Sequence, residues 1–136
     1  MKNEREAIET SVGIISGRDA IYLDKLEILP IRFGMVFTGE LNGDLCSQND
    51  TGKEWIPYRI LFDCEIYHSS CEIDLYFSKE RDLVSSFDII AESDLLNDIY
   101  DMEKSCGHSN TYSHYVLATY NCVFEIIAGD FKFELM

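Results

Sequence analysis

The chain has 136 residues, 46% hydrophobic and 12% aromatic, with 11 basic against 25 acidic side chains and a net charge of −14. This length and composition predict a single domain, residues 1–136, that can bury a core without a disulfide or a metal. The charge argues against nucleic acid and against an anionic membrane surface, because both are polyanions normally met by clustered Lys and Arg.

The same charge fits plain solubility, or a basic protein partner. The five cysteines, Cys46, Cys64, Cys71, Cys106 and Cys122, cannot all pair within one chain. The first residues, MKNEREAIETSVGIISG, hold no apolar stretch of signal-peptide length, and nothing in the chain approaches the roughly 20 apolar residues of a membrane span. The expected location is therefore cytoplasmic and reducing.

In chain order, Asn3 to Thr10 suits a short helix and Ser11 to Ser16 a strand. Ala20 to Leu29 mixes the two periods and is not assigned. Ile31, Phe33, Met35 and Phe37 alternate with other residues up to Thr38, which is strand periodicity. Asn42-Gly43 then supplies a tight turn, and CSQNDTGKE (46–54) is the most loop-like stretch. Tyr58 to His68 and Glu72 to Phe77 read as a hairpin joined by HSSC (68–71), with Phe62, Cys64 and Ile66 on its apolar face. Ser93 is placed to cap a helix from Asp94 to about Lys104, with Leu95, Leu96, Ile99 and Met102 as its apolar stripe and Gly107 at its end. Tyr115 to Tyr120, Val123 to Ala128 and Phe131 to Leu135 are strand-like. The pattern predicts an α+β fold: a mainly antiparallel curved sheet of about six or seven strands with one or two helices.

Two readings compete for DCEIYHSSCEIDLY (63–76). The first is a metal site on Cys64, His68 and Cys71. On a strand, however, Cys64 and His68 would lie about 13 Å apart, too far for one tetrahedral zinc. The second reading is an acidic ridge. On a hairpin the face opposite Phe62 and Ile66 would carry Asp63, Glu65 and Tyr67 on one strand and Glu72, Asp74 and Tyr76 on the other, with Glu65 facing Asp74. Carboxylates with tyrosines on one face suit a basic partner, and the plain alternative is a solvated outer face. Calcium is disfavoured because QNDTGKE (48–54) lacks the spacing of a calcium loop.

No catalytic or nucleotide-binding motif occurs, so no cofactor is expected. The best catalytic candidate is the polar loop with Cys106, His108 and His114. The leading expectation is a non-enzymatic interaction protein whose partner-binding residues are Asp63, Glu65, Tyr67, Glu72, Asp74 and Tyr76. The alternative is a small-ligand or metal-binding domain, or an enzyme, using Cys106, His108 and His114. A homo-oligomer joined at the edge of the last strand is a third arrangement. A small acidic α+β chain of this kind is similar in general class to the immunity proteins with which bacteria neutralise toxins. That similarity implies an antitoxin-like role, since many toxin nucleases are basic.

Overall fold

A computed structural model describes residues 3–30, 34–77, 83–107 and 110–136. Nine strands and two helices occur among them: β1 (Arg5–Ala7), β2 (Ile21–Leu29), β3 (Gly34–Asn42), β4 (Trp55–Asp63), β5 (Tyr67–Glu72), α1 (Ile73–Phe77), β6 (Phe87–Ile90), α2 (Asp94–Ser105), β7 (Ser113–Ala118), β8 (Cys122–Ala128) and β9 (Asp130–Leu135). The class is the expected α+β with mainly antiparallel strands. The strands divide into two sheets, ordered β1-β6-β7-β8-β5 and β2-β3-β4-β9.

Alternation explains the division. Phe37 on β3 and Ile60 and Phe62 on β4 face Phe87, Tyr115, Leu117 and Phe124 of the other sheet, and all are buried. The aromatic rings meet edge to face, with Phe37 and Phe124 centroids 5.0 Å apart and Phe87 and Phe131 5.2 Å apart, the arrangement their quadrupoles favour. This inter-sheet layer is the main core.

The five-stranded sheet has a second apolar face. Helix α1 lays Ile73 and Tyr76 on Ile90, Val116, Ala118 and Val123. Helix α2 lays Leu96 and Ile99 on Ile127 and Tyr112. β7 and β8 are therefore covered on both sides, which is why SHYVLA and CVFEIIA read as nearly continuous apolar runs.

Helix α2 begins and ends as expected. Ser93 Oγ accepts a hydrogen bond from the Leu96 N–H at 3.0 Å, and Gly107 beyond the cap has φ of 78°, a conformation glycine adopts without strain.

Several local expectations are corrected. The predicted N-terminal helix is replaced by a short edge strand, β1, paired to β6. Ser11 to Ser16 makes only isolated bridges, Thr10 with Gly13 and Ile15 with Cys46. The unassigned Ala20 to Leu29 is strand β2. The strand expected from Ile31 to Thr38 is present from Gly34 onward as β3, and residues 31–33 lie outside the described residues.

The hairpin of residues 58–77 does not form. β4 pairs β3 and β9 in one sheet, while β5 pairs β8 in the other. Between them Cys64 takes φ of 54°, which ends the extended chain and lets it cross between sheets. The Ile73, Leu75, Phe77 alternation misled because Ile73 and Tyr76, three apart, also satisfy a helical period. Glu72 then decides the matter locally, its carboxylate accepting from the backbone N–H groups of Asp74 and Leu75 as a helix start requires.

Candidate functional site

The six residues of the expected acidic ridge do not share a face. Glu65 is buried, with its carboxylate 2.8 Å from His68 Nδ1. Tyr76 is buried on the inner face of α1, where its hydroxyl accepts from Arg5 Nη2 at 2.5 Å. Asp63, Tyr67, Glu72 and Asp74 are exposed, but they lie on three different elements. Glu72 is occupied at the start of α1. Asp74 is paired with Arg18 at 2.7 Å, and that guanidinium holds its carboxyl below the usual carboxylate range. The expected facing of Glu65 and Asp74 is corrected with the hairpin that implied it. One ridge therefore cannot be assembled from these residues.

Cys64, His68 and Cys71 are dispersed in the same way. Cys64 is exposed at the crossover, His68 turns to Glu65, and Cys71 packs beside the Ile73 cluster. Among the described residues no group of three or more His, Cys, Asp or Glu is arranged to hold a metal ion.

The Cys106, His108 and His114 grouping is also separated. Cys106 is exposed at the C-terminal end of α2. His114 is buried on β7 beside Ser93, at the other end of that helix. Twelve helical residues span about 18 Å, so these two side chains cannot meet at one centre. His108 lies outside the described residues.

His114 has a different environment, which the sequence did not reveal. Its Nδ1 lies 2.9 Å from Ser93 Oγ and its Nε2 3.0 Å from Glu125 Oε1. With a neutral imidazole beside an ionised Glu125, Ser93 O–H donates to Nδ1 and Nε2–H donates to the carboxylate. The connectivity is that of a serine, base and acid set. Yet Ser93 is only 1% exposed, and its oxygen already caps α2. A hydroxyl held this way cannot reach a substrate carbonyl, so the chain serves to fasten α2 to the sheet.

A surface site emerges elsewhere. Tyr22 on β2 stacks on Tyr120 from the β7–β8 turn, with centroids 5.2 Å apart, and meets Trp55 on β4 edge-on at 5.4 Å. The row is pinned by backbone and side-chain bonds. Tyr120 N–H donates to the Ile21 carbonyl at 2.9 Å, and Tyr58 Oη donates to the Tyr22 carbonyl at 3.0 Å. Trp55 and Tyr120 nevertheless remain exposed at 43% and 40%. At the Tyr120 end, Arg18 lies over the ring, 5.9 Å from its centroid.

Carboxylates border the row. Glu40 is opposite Tyr22 in the β2–β3 register, and a register shift between Leu23 and Lys25 sets Asp24 out of the ladder. Such a bulge re-aims a side chain. The bulge presses the Tyr22 carbonyl against Gly39, where a Cβ would overlap that oxygen, so glycine is needed there for close approach.

Tyr22 and Asp24 wall two adjoining depressions. One, about 290 Å³, is completed by Glu40 and Trp55. The other, about 230 Å³, includes Tyr120 and Asn121. Partial burial, then Asp19 and Tyr120, push the Tyr22 hydroxyl above its ordinary pKa. Neither Asp24 nor Glu40 is in an ion pair among the described residues.

Only weak signals of this site exist in the sequence. Trp55 is the sole tryptophan and stands at the border of a polar loop. The meeting of Tyr22, Trp55 and Tyr120 depends on three separated segments. Compared with protein families, curated proteins and solved structures, the chain matches none.

Proposed function

We propose that this protein is a non-enzymatic interaction module for a basic protein partner. The observation that carries the reading is the row of exposed Tyr120, half-buried Tyr22 and exposed Trp55, bordered by Asp24 and Glu40. Tyr and Trp offer large contact area at low entropic cost, and unpaired carboxylates beside them favour a cationic surface. The net charge of −14 adds long-range steering, which raises association rates and falls with salt. Neutralising a basic enzyme, as immunity proteins do with toxins, is one form such a role takes. The five cysteines are all free, in keeping with a reducing, cytoplasmic setting.

The test is native mass spectrometry of untagged protein isolated from its own cells, at low and high salt. A retained basic chain that is shed as salt rises is the expected result. A neutral or acidic partner, or retention indifferent to salt, refutes the reading.

A further inference from the structure

We propose that the cleft walled by Tyr22, Asp24, Glu40 and Trp55 receives an arginine side chain of the partner, an inference that rests on the interaction reading above. The chain displays the same recognition once already. At the Tyr120 end of the row, Arg18 lies over an aromatic ring while its guanidinium is held by Asp74 at 2.7 Å. A cation, a ring face and a carboxylate form a complete set there.

The Trp55 end has the ring and the carboxylates, and among the described residues no cation pairs with Asp24 or Glu40 or lies over Trp55. Trp55 stands edge-on to Tyr22, Glu40 is beside Tyr22 across the strand pair, and the bulge brings Asp24 to the same depression of about 290 Å³. Cations favour tryptophan faces over other aromatic faces. Arginine fits better than lysine because its planar group stacks on an indole and still donates along its edge to carboxylates. A lysine ammonium is a compact point charge with no such edge.

Because Trp55 is the sole tryptophan, its emission reports on the cleft directly. The probes are a tetra-arginine peptide and a tetra-lysine peptide, titrated into the intact protein at low salt. Tetra-arginine is expected to change Trp55 emission saturably and to bind several-fold more tightly than tetra-lysine. By calorimetry, Asp24→Asn with Glu40→Gln should weaken tetra-arginine binding about tenfold. Asp98→Asn with Asp101→Asn, an equal charge change on exposed positions of α2, should weaken it less than about twofold, as expected of screened distant charges. Trp55→Leu should erase the preference for arginine.

Equal weakening by the two double variants, or binding without a change in Trp55 emission, would overturn the arginine cleft and leave the acidic-surface reading standing. Failure of both peptides to bind at low salt would overturn both.

Discussion

Replacing Ser93 with alanine is the sharpest test of how the fold is held. Two contributions are lost together. Ser93 Oγ caps α2 through the Leu96 N–H, and losing such a cap costs about 1 kcal/mol. The same hydroxyl is the partner of the buried His114 Nδ1, and leaving a buried polar atom unsatisfied costs about 1–3 kcal/mol. The sum is about 2–4 kcal/mol, which lowers the melting temperature by roughly 6–15 °C for a domain of this size.

The assay is urea unfolding followed by circular dichroism, with the midpoint shifting at constant slope. Ser93→Thr keeps both hydrogen-bonding roles and should cost less than about 1 kcal/mol, since threonine is only a slightly weaker cap. Ser93→Gly is the informative partner, because glycine is tolerated at a cap within a few tenths of a kcal/mol but donates nothing to His114. It should retain most of the alanine variant's loss. A Ser93→Ala protein within about 0.5 kcal/mol of the parent, below the range of either lost contribution, would refute the idea that this chain of bonds fastens α2 to the sheet.

Three other predictions concern separate parts of the molecule. Gly39→Ala must displace the Tyr22 carbonyl and should cost about 1–3 kcal/mol as an overpacked site does. It should also blunt tetra-arginine binding, because the bulge that aims Asp24 is disturbed; an unchanged stability would contradict the close approach. Burial pushes the Asp88 carboxyl up, although hydrogen bonds from Ser85 and Val84 and the nearby Arg5 pull it down. The folded chain then holds this proton over a pH range where the unfolded chain has released it, so the contribution of Asp88 to stability falls as pH rises through that range. Asp88→Asn should therefore compare most favourably with the parent at neutral pH and least favourably near pH 3, measured by unfolding across pH; the opposite trend refutes the sign. Finally, Cys64 and Cys106 are exposed whereas Cys46 is buried with its thiol pushed up by that burial. An aromatic disulfide reagent should titrate the two exposed thiols rapidly in the native protein and Cys46 only on unfolding. Rapid native reaction of Cys46 would contradict its burial.

Local signals settled those parts of the fold where one residue type does one job. Ser93 at the start of α2 and Gly107 at its end marked the helix, because capping and positive φ are properties of a few neighbouring atoms. Alternation marked β3, β4 and β9, each with one face pressed on the inter-sheet core, while β7 and β8, covered on both sides, were marked by nearly continuous apolar runs. The charge and composition likewise indicated a folded acidic domain. Which strands pair was not legible. IDLYF satisfies a strand and a helix equally, and the choice fell to the Glu72 cap and to the apolar face of β6, β7 and β8 that α1 covers. The site shared this dependence. Tyr22, Trp55 and Tyr120 belong to β2, β4 and the β7–β8 turn, and a bulge opposite Gly39 brings Asp24 to them. Periodicity reports which way a side chain faces along its own strand, while the neighbours it acquires are fixed by contacts between distant segments, and those exist only once the two sheets have packed.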